Sequence, residues 1–305
     1  MSTTGPDRDR GDVVSDHRRQ WRECRYVYPV ISRRAKGLSI GVNLNPDKRC
    51  NFACIYCQVD RHLPRNLKDV DLDALRAELI LALEALQHGD LWDEPAFREV
   101  PGRLRQLSDI AFSGDGEPTC FPNFDQAVQV ADDVKQRFGC EDAKIVVITN
   151  ASQLRSTQVE RALPILDADN GEIWAKLDAG TEAYFQRVSR PRGEITLDEI
   201  IENITHVALG RPVVIQTLWM LVSGEAPSVD EIAAYIARVR AILDAGGSIK
   251  LIQMHTVARP PWEAYVRTLP ADRLRAIADR VQAELPEVSV EVYPGRDVDP
   301  IDRPR

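Results

Sequence analysis

The 305-residue chain contains no stretch of about 18 uncharged apolar residues, the length a membrane-spanning helix needs, so no span is expected. Nor does it open on an apolar leader. Its first 19 residues are charged and polar, and residues 1–20 read as a disordered or loosely held tail ahead of a single unit over 21–305. Cysteine is sparse: six in a chain of this length do not make a disulfide framework, which fits a reducing, cytoplasmic setting. Positive charge is in deficit, 39 Lys and Arg against 47 Asp and Glu, a net charge of −8. Nucleic-acid binders usually carry a basic patch or domain, so that balance gives an RNA partner no support. The nearest thing to such a patch is Arg187, Arg190 and Arg192 with Arg33 and Arg34, and scattered arginines are ordinarily a solvated surface. Repeats, low-complexity tracts and an interdomain linker are also missing.

What is present is alternation. Residues 38–44, 110–113, 144–149, 172–177, 213–221 and 248–254 read as strands. The segments 128–138, 159–166, 197–209, 229–243 and 271–285 read as helices, and 288–292 alternates like a final strand. Leu72, Leu75, Leu79, Leu83 and Leu86 recur at helical spacing, which places a helix between the first two strands. The β-branched run Ile145, Val146, Val147, Ile148 is that of a buried strand. Six strand–helix units in succession imply a parallel sheet, because each parallel connection needs a crossover of about a dozen residues. Residues 89–107 read as irregular chain at the scaffolding end of that sheet. No G-x-G-x-x-G follows the first strand, so a dinucleotide fold is weakly supported.

The chemistry concentrates in Cys50-Asn51-Phe52-Ala53-Cys54-Ile55-Tyr56-Cys57, a C-x3-C-x2-C run. Three thiolates so close together can converge on one metal centre. A cubane cluster has four irons, so three cysteines hold three and leave the fourth open to a small molecule. A zinc site would need four ligands; His62 is available, but a second cysteine pair is missing. A disulfide would strand one of the three.

The cysteine run, with Gly116-Glu117-Pro118 after the second strand, resembles the radical S-adenosylmethionine (radical SAM) enzymes over about residues 38–255. That resemblance implies an α/β fold, a partial (β/α)6 TIM-like barrel with parallel strands and a short C-terminal extension. It implies a [4Fe-4S] cluster on Cys50, Cys54 and Cys57. S-adenosyl-L-methionine would bind the open iron and be cleaved to methionine and a 5′-deoxyadenosyl radical, which abstracts hydrogen from a substrate. A flavodoxin- or ferredoxin-like reductant would supply the electron. The family's motif Gly-Gly-Glu-Pro, which receives the SAM ammonium, corresponds to Asp115-Gly116-Glu117-Pro118, with Asp115 at the first glycine and Gly114 before it. An ordinary turn has the same composition. Tyr56 stands where an aromatic packs near the adenine. Lys176 and Asp178, on one side of their strand, resemble contacts to the SAM ribose and carboxylate; a structural ion pair is the other reading.

In a barrel, functional groups gather at the carboxyl ends of strands. Asn150 falls there and would face the same pocket, or would cap the following helix. Gln216 and Gln253 either read a substrate or satisfy each other, and His255 is a general base or a core histidine. Residues 259–262 would shape the mouth, and Cys120 would lie near the pocket or be a buried thiol. The pieces 113–119 and 176–179 look like the branch with the wyosine tRNA-modifying synthases. Those carry three further upstream cysteines where this chain has only Cys24. A tRNA base-modifying enzyme and a non-catalytic zinc-stabilised binding module stay open beside the radical SAM reading.

Overall fold

The computed structural model describes residues 24–60 and 70–295. The expected N-terminal tail and His62 lie outside those residues. In chain order the elements are β1 (Val27–Ser32), β2 (Gly37–Val42), α1 (Leu72–His88), α2 (Asp90–Asp93), β3 (Leu107–Phe112), α3 (Phe124–Arg137), β4 (Lys144–Thr149), α4 (Thr157–Ala168) and β5 (Gly171–Lys176). They continue with α5 (Glu182–Val188), α6 (Leu197–Gly210), β6 (Val213–Leu218), β7 (Met220–Val222), α7 (Val229–Asp244), β8 (Ile249–His255), β9 (Val266–Thr268), α8 (Ala271–Glu284) and β10 (Val290–Tyr293).

Eight strands make one sheet in the order β1-β2-β3-β4-β5-β6-β8-β10, parallel from β2 onward. The sheet curls into a half-barrel with helices outside it, as the alternation implied. Its middle strands are buried on both faces because helices cover one and the lumen the other: all six residues of β6 are buried, Gln216 and Thr217 among them. The helices are pinned by their sequences. Asp71 caps α1 through Asp73 N and Ala74 N, and Gly89 ends it in the left-handed region. Thr196 and Glu199 form a reciprocal capping box on α6. Leu75, Leu79 and Leu83 of α1 are fully buried, each stabilising the fold by about 1.5–3 kcal/mol.

Three features depart from the sequence reading. β1 was not anticipated; it runs antiparallel to β2 at the sheet edge, where Pro29 is tolerated although it weakens the strand signal. The expected strand 213–221 breaks at Trp219, whose N–H donates to His255 O at 2.9 Å, and β7 then leaves the sheet to pair with β9. Residues 89–107 contain α2 and a single 3-10 turn at Gly102–Leu104. The expected final strand is there as β10, which pairs in parallel with β8 and gives the sheet a seventh parallel strand.

The β1–β2 hairpin tip closes part of the open side. Arg33 Nη1 donates to Pro294 O at 2.8 Å and Lys36 Nζ pairs with Glu291 at 2.9 Å, which joins the two edges of the sheet. Ala35, between them, packs with Ala111, Val146, Trp174 and Val214 in a small apolar plug inside the lumen. Among the described residues no helix is long and apolar enough to cross a membrane.

Candidate functional site

The cysteine loop follows β2 at the carboxyl end of the barrel, and a single antiparallel bridge, Phe52 to Pro191, ties it to the chain after α5. Ala53 N donates to Arg190 O at 2.9 Å, Ile55 N to Val188 O at 2.9 Å, and Arg192 N to Asn51 O at 2.8 Å. The segment after α5 therefore holds the loop up, with Phe52 edge-on to Phe185 at 5.9 Å. Cys57 N donates to Cys54 O at 3.0 Å, a turn that brings the last two cysteines round. Cys50, Cys54 and Cys57 are all reduced and half-buried, and all three line one cavity of about 860 Å³. Burial pushes the Cys54 thiol up to about 12. The described residues contain no group placed to hold a single metal ion. Ligands of a cubane are spread around a body several atoms wide, so one tight cluster of donors is not what such a site requires. Three thiols on one loop, facing one cavity, fit that larger group.

The glycine-rich loop after β3 lies against the cysteine loop. Asn43, just past β2, accepts from Asp115 N at 3.0 Å through Oδ1 and donates to Asp115 Oδ2 at 3.1 Å. Gly114 has φ +142°, in the region that favours glycine. At Gly116 a Cβ would lie 2.0 Å from Arg49 O, so the two loops could not approach as they do with any side chain there. Glu117 is buried and already bound. Its Oε1 accepts from Thr119 N, Thr119 Oγ1 and Thr149 Oγ1 at 3.2, 2.5 and 2.6 Å; its Oε2 accepts from Asn150 N at 2.6 Å. Burial nevertheless raises its carboxyl above the usual range against the pull of those donors. A carboxylate offers about four lone-pair sites, so Glu117 clamps the ends of β3 and β4 and keeps little capacity for a ligand, all of it on Oε2.

Asn150 does not cap a helix: Ser156 stands at the N-terminus of α4. Its Nδ2 donates to Asn51 Oδ1 at 2.8 Å and its Oδ1 accepts from Ser152, which ties the β4 end to the cysteine loop. Lys176 and Asp178 do form an ion pair, at 3.1 Å. Tyr56 OH donates to Asp178 Oδ2 at 2.5 Å, the Lys176 ammonium sits 4.9 Å above the Tyr56 ring, and Asp178 Oδ1 accepts from Leu218 N at 2.7 Å. Asp178 thus joins the cysteine loop, β5 and the end of β6. Burial and the Asp178 charge hold the Tyr56 phenol well above its ordinary range.

The structure brings the eleven expected site residues to one end of the barrel, and ten of them line the cavity; Asp178 sits behind Tyr56 in a smaller recess. Gln216 Nε2 donates to Gln253 Oε1 at 2.8 Å, so the two glutamines do satisfy each other. Trp262 N donates to Cys57 O at 3.1 Å, which brings residues 259–262 against the cysteine loop. Cys120 is exposed, not buried. Sequence reasoning missed Asn43 and Asn51, which brace the loops. Their signal was an asparagine just past a strand and another beside a cysteine, both too common to single out.

The model of the radical SAM superfamily matches residues 44–236. The chain belongs to that superfamily. It is 28% identical over 181 residues to a UPF0026 protein of Methanocaldococcus jannaschii, an alignment covering 58% of this chain and 47% of the relative. The chain therefore spans about half the length of that curated relative. Its fold is similar to a radical SAM methyltransferase from Sphaerobacter thermophilus, with TM-score 0.59 and 13% identity over 88% of this chain and 68% of that one. It is also similar to Streptococcus suis SuiB solved with S-adenosylmethionine, with TM-score 0.55 and 14% identity over 85% and 52% of the two chains. At such identities the likeness is one of fold.

Proposed function

We propose that the chain is a cytoplasmic radical SAM enzyme carrying one [4Fe-4S] cluster on Cys50, Cys54 and Cys57. When bound, the cluster and S-adenosyl-L-methionine together supply a 5′-deoxyadenosyl radical that takes a hydrogen atom from the substrate. One observation carries the reading: three thiols of a single braced loop share a cavity with the glycine-rich loop folded against it. Superfamily membership supports it further.

The chain's own groups then have separable tasks. Asp115 and the free capacity of Glu117 Oε2 offer negative charge to the SAM ammonium, at backbone that Gly114 and Gly116 let come close. Tyr56, fixed from behind by Asp178, presents its ring beside the cysteines. Lys176 places a cation for a carboxylate or ribose oxygen, and Asn150 holds the cysteine loop from the β4 side. The buried walls of the lumen exclude water, which protects a reactive species from side reactions. A flavodoxin- or ferredoxin-like protein serves as reductant in this reading. The net charge of −8 favours a substrate other than tRNA.

The test is anaerobic iron and sulfide analysis with an optical spectrum, on the wild type and on a Cys50→Ala, Cys54→Ala, Cys57→Ala triple variant. About four irons and four sulfides per chain, lost in the variant, are expected. The reconstituted wild type should release 5′-deoxyadenosine under dithionite. About one zinc with no sulfide would overturn the reading and leave a structural metal site.

A further inference from the structure

The lumen continues inward from the cysteine loop to the tip of the β1–β2 hairpin, and polar groups there lack partners. Arg34 is next to the apolar plug residue Ala35, yet its side chain lines the cavity. Its guanidinium lies 6.0 Å from the Trp174 ring centroid. Trp174 is fixed in turn by Nε1 donating to Glu172 at 2.8 Å. The neighbouring cations are committed: Arg33 to Pro294 O, Lys36 to Glu291 and Lys176 to Asp178. Arg34 has no hydrogen-bond or ion-pair partner among the described residues.

Two further atoms on the same cavity are buried and unpaired, Asp109 Oδ1 and His255 Nδ1. Buried polar atoms are nearly always hydrogen-bonded, so two of them beside an unpaired guanidinium call for a ligand more than for packing. Their chemistry narrows its class. Arginine presents a planar fork of donors that matches carboxylate and phosphate oxygens bidentately. The Trp174 ring centroid lies 6.0 Å from the guanidinium carbon, and the arginine side chain lines the lumen. Burial and the charges of Arg34 and Lys176 hold the His255 ring well below its ordinary range, which keeps it neutral. It can add one hydrogen bond without adding charge. Asp109 can accept from a hydroxyl or amine on the same molecule. The cavity, about 860 Å³, lies toward the upper end of ligand-pocket sizes and has room for a small substrate beside a cofactor.

We propose that Arg34 anchors the substrate by an oxyanion group, a carboxylate or a phosphate, held in the lumen beyond the SAM site. The assignment of this end as the substrate end rests on the radical SAM reading; the anion site does not. The hairpin is a rigid mount for it, since the residues on either side of Arg34 and Ala35 tie the tip to β10 and its exit.

The experiment is calorimetric titration of malonate and, separately, inorganic phosphate into the cluster-loaded enzyme at low ionic strength, with SAM titrated into the same preparations. Saturable one-site binding of at least one anion is expected, weakened roughly tenfold or more in Arg34→Lys and lost in Arg34→Gln, with SAM affinity unchanged. The anion that binds more tightly names the group. In the wild type, the same anion should protect Arg34 from phenylglyoxal, read by mass spectrometry of its peptide; this arm needs no variant to fold. Absence of saturable binding by both anions, equal binding in all three proteins, or unprotected Arg34 would each overturn the proposal. SAM binding without anion binding sinks this inference alone, and anion binding without SAM binding sinks the radical SAM reading alone.

Discussion

The rim of the barrel and the depth of its lumen are both polar, but they are polar in opposite ways. At the rim every carboxylate with a resolved role is engaged by the chain itself. Glu117 takes four donors, and Asp178 takes Tyr56, Leu218 N and Lys176. Elsewhere on the same cavity Arg34, Asp109 Oδ1 and His255 Nδ1 are left open. The rim groups hold loops in place, and in the proposed reading a loop that is to carry a cluster needs that bracing before the cluster arrives. Of the lumen groups, Asp109 is held by Ser39 but keeps Oδ1 open, and Arg34 and His255 Nδ1 have no hydrogen-bond partner, so part of their desolvation is offset only when a ligand enters. A residue's worth to the fold and its worth to a ligand are thus separated along one cavity.

The largest expected break in that contrast is Glu117→Gln. The amide can accept on one atom only, and its Nε2 would face donors. Chemical unfolding should show a loss of about 2–4 kcal/mol, although the three cysteines are untouched. A stability equal to wild type would mean that the rim is not the internally braced region. Tyr56→Phe comes next. It removes the hydrogen bond to Asp178 and leaves the ring under Lys176, so a loss of about 1–2 kcal/mol is expected, with SAM affinity reduced and iron content kept.

Asp109→Asn should act with the opposite sign. Burial pushes the Asp109 carboxyl up to about 6. A carboxyl whose folded value is raised favours the folded state fully below its ordinary value near 4 and loses that contribution as pH rises through about 6. The asparagine variant should therefore be more stable than wild type at pH 7, by about 1 kcal/mol, and show no gain at pH 4, read from unfolding midpoints at the two pH values. A loss at pH 7 would place Asp109 with the rim carboxylates.

Much of this was legible in the chain and some of it was not. The cysteine run announces itself because three thiols within eight residues can converge on one centre without help from the fold. The parallel sheet is legible because β-branched runs such as 145–148 alternate with amphipathic helices such as that of Leu75, Leu79 and Leu83. β1 was hidden by Pro29 and by a half-buried edge pattern, and the break at Trp219 was hidden because an apolar run looks the same on both sides of a bend. Glu117 was legible as a candidate ligand group, whereas its engagement by Thr119, Thr149 and Asn150 was not, since those donors come from two different strand ends.

Arg34 shows where the boundary falls. In the sequence it belongs to an Arg33-Arg34 pair with every mark of a solvated turn. The fold sends one of the two to the β10 exit and the other into the lumen, because β1 and β2 turn back at the open side of a curled sheet. Sequence alone determined the spacing of the thiols and the periods of helix and strand, which are short-range properties that adjacent residues decide among themselves. The partners of each polar group were decided only by the tertiary structure, because they depend on which strand ends the curl of the sheet brings together.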